Sequence, residues 1–261
     1  MPVFIVFLLF LANLALAQSV PQSPSAKRFP NESFQDALKR IDKSTQNYSL
    51  FSWHESPKDL RVPLEEIDYS SVPSVASHQE LMDLFYLIRD SRFLYSDYGP
   101  NFARRISWLY PDDGCFLRAA LGGYKVEKEH FTRPGKLFVF GKLQAETPYS
   151  PKGYVRWWFH VALIVELWGN YYVLDPALDP YNPMQLSNWF TVINGLGSEL
   201  TGVVCNPYAY SVHDNCYERT MFYEEILEDR ANEYLNEEYD RVIALGMAPE
   251  AVLGDLPPWK Q

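Results

Sequence analysis

The chain has 261 residues, enough for one or two domains with a substantial hydrophobic core. Its 23 Lys and Arg stand against 33 Asp and Glu, a formal net charge of −10, which excludes a protein that meets nucleic-acid phosphates across a basic face. With 7 Trp, 18 Tyr and 16 Phe, the chain can form a dense core or line a cleft for an extended ligand.

The N-terminus reads "MPVFIVFLLFLANLALAQS". Its apolar run, Val3 to Leu16, is short for a membrane span. It ends in Ala15-Leu16-Ala17, a small-x-small cleavage pattern, and a polar Ser/Pro-rich stretch follows. Residues 1–17 are therefore read as a signal peptide, although no Lys or Arg precedes the apolar run. The alternative is a membrane anchor. No other segment approaches transmembrane length, so the mature chain is expected to be secreted or periplasmic, without stable membrane insertion.

Residues 18–75 read as a separate N-terminal segment, a pro-region or an accessory piece. It is rich in Ser, Pro and charge, and holds one amphipathic stretch, "SFQDALKRIDKS", with Phe34, Leu38 and Ile41 at helical spacing. The Pro/Ser cluster from Ser70 to Ser77 reads as a linker. Residues 76–217 follow as the main domain. It opens on a capping box, Ser77 with Glu80, and the apolar face Leu81, Leu84, Phe85 and Leu87 predicts a helix.

Next comes "YPDDGCFLRAALGG". Asp113 is expected as the N-cap, Gly114 and Cys115 as the first turn, and Gly122-Gly123 as the stop. "KLFVFGKLQ" and "YVRWWFHVALIVELW" read as strands. The second meets "YYVLD" across Gly169 as a hairpin. A loop-rich stretch to Cys216 follows. Residues 218–261 form an acidic helix and tail, with Phe222, Ile226, Tyr234, Tyr239 and Val242 as the inner face. The whole predicts an α+β fold: an antiparallel sheet packed on a helix that carries a nucleophile at its N-terminus.

In an exported chain, cysteines pair and an odd one needs a reason. Cys205 and Cys216 lie close together and are the natural disulfide. A metal site with His213 and Asp214 would match no common zinc spacing, so neither metal nor cofactor is expected. Cys115 is left over. At a helix start it would sit beside the positive end of the dipole, where free N–H groups can hold a developing oxyanion. Asp112 and Asp113 oppose its thiolate, so a histidine partner is needed. His160 interrupts an apolar strand. A two-residue turn at Trp168-Gly169 sets Asp175 opposite Ala162, on the His160 face and one diagonal step away, about 7–8 Å at the backbone. A turn at Gly169-Asn170 would keep the parity. Trp157 and Trp158 point to opposite sheet faces, so at least one is core. Trp158 and Tyr110 are taken to line the substrate cleft.

Four stretches in order carry a resemblance: Tyr110 to Ala119, Phe140 to Leu143, Trp157 to Ala162, and Leu174 to Pro176. The chain resembles the bacterial protein-glutaminase family over about residues 78–216. That resemblance implies a papain- or transglutaminase-like core, with Cys115, His160 and Asp175 as triad and the Cys115 backbone N–H in the oxyanion site. It implies deamidation of glutamine in proteins or peptides, with release of ammonia through a thioester, by a monomer without cofactor. It also implies a precursor whose N-terminal segment covers the site. The short link between His160 and Asp175 and the acidic C-terminal helix depart from the family pattern. A transglutaminase-like acyltransferase or a cysteine peptidase would use the same triad. A non-catalytic, aromatic-rich binding module is the alternative without chemistry.

Overall fold

The computed structural model describes residues 23–45, 55–96, 99–219 and 227–253. The signal-peptide reading, and Phe222 and Ile226, fall outside them.

The N-terminal segment forms helix α1 (Phe34–Thr45) on the expected face, with Ala37 and Ile41 buried. A short helix α2 (Pro57–Leu60) leads to strand β1 (Val62–Pro63). Far from being detached, β1 forms the edge of the main sheet. The supposed linker is also packed: the Val75 N–H donates to the Glu166 carbonyl at 2.8 Å, and Val72 and Val75 are buried. Pro and Ser suit such a path because it follows a strand without entering a ladder of its own.

Helix α3 (His78–Asp90) starts as predicted. The Glu80 N–H donates to Ser77 Oγ at 3.1 Å, and the Glu80 carboxylate returns to the Ala76 N–H at 2.6 Å. Its buried face is Leu81, Leu84, Phe85 and Ile88, each worth roughly 1.5–3 kcal/mol of apolar burial. A small ribbon, β2 (Leu94–Ser96) with β3 (Gly99–Arg104), then leads into the loop before α4 (Cys115–Lys128).

Two expectations for α4 are corrected. Its N-cap is Gly114, left-handed at φ 79°, not Asp113. Nor does it stop at Gly122-Gly123, which lie buried inside it. A β-carbon on Gly122 would come within 3.1 Å of the Ile88 and Leu163 side chains. That glycine lets α3 and the sheet approach α4 closely, a tertiary demand that local stop signals do not reveal.

Strands β4 (Gly135–Glu146), β5 (Tyr154–Leu167), β6 (Asn170–Leu174), β7 (Met184–Gln185) and β8 (Thr201–Cys205) complete a six-stranded antiparallel sheet, in the order β1-β8-β4-β5-β6-β7. Its centre, β4 and β5, is buried along almost its whole length rather than at alternate positions. Both faces are therefore covered. The loop-rich region also contains helix α5 (Leu186–Ile193), which the sequence reading missed. Helices α6 (Leu227–Ala244) and α7 (Pro249–Leu253) close the chain. The most buried residues of α6 are Leu227, Ala231, Leu235, Glu238 and the expected Val242, with the expected Tyr234 and Tyr239 partly buried against the core beside them. Buried Glu238 made that face hard to see: its carboxylate accepts the Leu109 N–H at 2.7 Å and Arg105 Nη1 at 3.1 Å. Cys205 and Cys216 form the expected disulfide.

Candidate active site

Cys115 is the first residue of α4, and the helix starts where the chain turns through Gly114. The left-handed φ there favours glycine, and any β-carbon would lie 3.0 Å from the Tyr234 ring. Asp113 does not cap the helix. Its carboxylate accepts the Gly114 N–H at 2.8 Å, the Ala26 N–H at 2.9 Å and the Ser25 hydroxyl. Asp112 pairs with Arg241 at 2.6 Å and Lys27 at 3.6 Å. The two acids thus bond to the N-terminal segment and to α6, although Asp113 still opposes a thiolate at Cys115. Two groups brace the same loop from below. Arg118 Nη1 donates to the carbonyls of Tyr110 and Asp113, at 3.1 and 2.7 Å. Trp157 Nε1 donates to those of Pro111 and Asp112, at 2.8 and 3.1 Å.

His160 and Asp175 meet as the hairpin register requires. The turn Trp168-Gly169 pairs Leu167 with Asn170 and Leu163 with Leu174, so Asp175 follows opposite Ala162. His160 Nε2 lies 2.8 Å from Asp175 Oδ2. An ionised carboxylate only accepts, so Nε2 is assigned the proton. Nδ1 is buried without a partner. The imidazole lies between two indoles, Trp157 at 4.7 Å and Trp189 at 5.7 Å between ring centroids. Trp189 Nε1 also donates to Asp175 Oδ2, at 3.0 Å.

The electrostatics follow from burial. Burial alone pushes the Asp175 carboxyl up. The charge and hydrogen bond of His160, the Trp189 N–H and the Arg118 charge outweigh it and hold the carboxyl below its ordinary range. The Cys115 thiol goes the other way, pushed up to about 12. Burial is the main cause, against the pull of Arg118 and a hydrogen bond from the Val161 backbone, while Asp113 and Asp175 add to the rise. At 2% exposure the thiol is closed off and protonated.

Residues 25–28 reach the loop before Cys115, where Ser25 and Ala26 seat on Asp113. They run antiparallel to β5 on the edge that β6 leaves open. Arg28 N–H donates to Arg156 O at 2.9 Å, and Trp158 N–H to Ala26 O at 3.1 Å. Trp158 Nε1 donates to Ser25 O at 2.7 Å. Trp158 and Tyr110, expected in an open cleft, are both buried. Trp158 lies under this segment, and Tyr110 lies against Tyr234 and Arg241 of α6. It is Trp157, not Trp158, that stacks on His160. Opposite this tryptophan pair β4 carries an extra residue between Phe140 and Leu143, and such irregularities sharpen local twist. Trp189 lies in α5, in a stretch expected to be loop, although Leu186, Trp189, Phe190 and Ile193 recur at helical spacing. Among the described residues, no three His, Cys, Asp or Glu gather as a metal site would need.

A buried thiol at a helix start and a hydrogen-bonded His160–Asp175 pair, on an α+β frame, give a chain built like a hydrolase. Residues 81–193, from α3 to the end of α5, match the model of a family described as glutaminase. The matched stretch carries Cys115, His160, Asp175 and Trp189. Among solved structures, pro-protein-glutaminase is 20% identical, with 77% of this chain and 68% of that one covered and a TM-score of 0.46. A mutant pro-protein-glutaminase is also 20% identical, over 71% of this chain, with a TM-score of 0.44, and this chain spans 65% of its length. Protein-glutaminase from Chryseobacterium proteolyticum is 24% identical, with 56% and 80% of the two chains covered and a TM-score of 0.43. No curated protein sequence matches.

Proposed function

We propose that this chain is a cysteine-dependent amidase that converts glutamine in proteins or peptides to glutamate and releases ammonia. The observation that carries the reading is the 2.8 Å pairing of His160 Nε2 with Asp175 Oδ2, which leaves Nδ1 as the nitrogen free to serve a thiol. The glutaminase match over the same residues supports the choice of substrate bond.

The chemistry is acyl transfer to water. The Cys115 thiolate attacks the carboxamide carbon, and the oxyanion forms against the Cys115 backbone N–H at the helix start. The C–N bond breaks as the His160 imidazolium gives its proton to the departing nitrogen, and ammonia leaves. His160 then takes a proton from water as that water attacks the thioester carbon. The C–S bond breaks, and glutamate and the thiolate–imidazolium pair are regenerated. Asp175 keeps the imidazole in the required tautomer throughout.

We take the chain as described to be a closed precursor. The buried, protonated thiol and the seating of Ser25 and Ala26 on Asp113 support this. Removal or release of the segment ahead of residue 55 returns water to Cys115. Export follows from the leader read in residues 1–17, and the Cys205–Cys216 disulfide suits an oxidising compartment.

The test incubates the processed wild-type chain and its Cys115→Ser variant with a flexible glutamine-rich protein. Ammonia and intact substrate mass are measured together. Ammonia released by the wild type alone, from a substrate of unchanged chain length, is the expected result. New termini would mark a peptidase and lysine cross-links a transglutaminase. Ammonia release that persists in the variant would overturn the assignment.

A further inference from the structure

Arg118 lies one turn into α4 from Cys115 and is 3% exposed. One arm of its guanidinium, Nη1, is spent on the loop carbonyls of Tyr110 and Asp113. The other, Nη2, is buried and has no hydrogen-bond partner. A buried guanidinium N–H left alone is costly, so its surroundings matter. A cavity of about 10 Å³ lies beside it, lined by Arg118, Cys115, Asp175, Trp108, Val161 and Leu174, among others. That is room for about one water, and a buried water needs two to four polar partners. On the Asp175 side, the bonds from His160 and Trp189 both fall on Oδ2, and Oδ1 carries neither.

We propose that Arg118 is a positioning residue for the Asp175–His160 pair, with its Nη2 arm reaching the Asp175 carboxylate through a single water held in this cavity. Arg118 thereby ties the loop before Cys115 to the carboxylate that orients the imidazole. One side chain sets both halves of the site. The charged and titratable groups lining the cavity are Cys115 and Arg118 on α4 and Asp175 after β6. Behind them, His160 on β5 bonds to Asp175, Asp113 before α4 acts on Cys115, and Tyr234 on α6 acts on both Cys115 and Arg118. Arg118 favours the ionised form of both Cys115 and Asp175. A backbone brace alone would need no charge. The proposal rests on the reading that Asp175 orients His160, but its test does not depend on turnover.

The experiment follows the His160 Nε2–H resonance by proton–nitrogen NMR in the full chain as pH falls, for wild type, Arg118→Lys and Arg118→Met. Loss of the cation raises the pH at which Asp175 is protonated. In Arg118→Met the resonance is therefore expected to disappear about one pH unit higher than in wild type. Arg118→Lys, which keeps the charge, is expected to stay near wild type. An Arg118→Met titration that overlays wild type overturns the proposal, as does an Arg118→Lys profile displaced as far as Arg118→Met. If Arg118→Met does not fold, Arg118→Gln is read the same way, since its amide can still donate to the loop carbonyls. A crystal structure of the wild-type chain supplies the second arm: solvent density bridging Nη2 and Asp175 is expected, and a cavity without it overturns the bridge. Because the readout is a titration, a chain that deamidates nothing leaves this test intact, and a failed titration leaves the deamidation reading untouched.

Discussion

The reactivity of Cys115 tests the closed-site reading most directly, and Ala26→Pro is the perturbation. Ala26 is fully buried, its N–H donates to Asp113 Oδ1 at 2.9 Å, and its carbonyl accepts the Trp158 N–H. Proline removes the N–H and adds ring atoms where there is no room. In the intact chain burial pushes the thiol from 9.0 up to about 12. At pH 8 its thiolate fraction is therefore about a thousandth of a free thiol's, and lack of access lowers reactivity further. Loss of one hydrogen bond to a carboxylate costs about 1.5 kcal/mol at the low end, which opens the segment roughly tenfold more often. The assay is iodoacetamide labelling of native chain at pH 8, followed by mass spectrometry, with urea-unfolded chain as the free-thiol standard. Wild type is expected to label at least a thousandfold more slowly than the unfolded standard. Ala26→Pro should label about tenfold faster than wild type, with the urea midpoint lowered by no more than that 1.5 kcal/mol accounts for. A wild-type rate near the standard, or no gain in Ala26→Pro, would refute the idea that residues 25–28 close the site.

Other outcomes follow from the same contacts. A thiol raised from 9.0 to about 12 stabilises the folded chain fully below pH 9, and that stability is lost as pH rises toward 12. Between pH 8 and 11, Cys115→Ala should therefore lose about 2–3 kcal/mol less than wild type in urea unfolding, a difference that cancels the tyrosines. Trp189→Phe keeps a ring beside His160 and removes the donor to Asp175. It should cut kcat of the processed enzyme by roughly tenfold or more with little change in KM, measured by ammonia release, since a hydrogen bond to a charged group is worth about 1.5–3 kcal/mol. Glu238→Ala leaves the buried Leu109 N–H and Arg105 without their carboxylate. It should cost roughly 3 kcal/mol in urea unfolding, whereas a value within 0.5 kcal/mol of zero would mean that α6 does not pin this loop.

Elements whose cause is local were legible in the sequence. The capping box of α3 and the amphipathic face of α1 are patterns of period 3.6 within one segment. The β5–β6 hairpin joins two apolar runs through a two-residue turn, and because side chains alternate, its register alone brings His160 and Asp175 to one face. The disulfide was legible for a different reason: two cysteines eleven residues apart in a loop have only each other nearby.

What only the tertiary structure decided depends on elements distant in sequence. Gly122 looks like a stop until Ile88 and Leu163 are seen to press on it. Asp113 looks like a cap until Ser25 and Ala26, nearly ninety residues earlier, claim its carboxylate. Trp189 has no motif around it and becomes a partner of Asp175 only when α5 packs against β6. Pattern along a chain reports which face a side chain takes. It does not report which remote group arrives opposite, because that is settled by how helices and sheet pack around one shared core. Here that packing decided which nitrogen of His160 is left free, which indoles hold its ring, and that the Cys115 thiol lies buried.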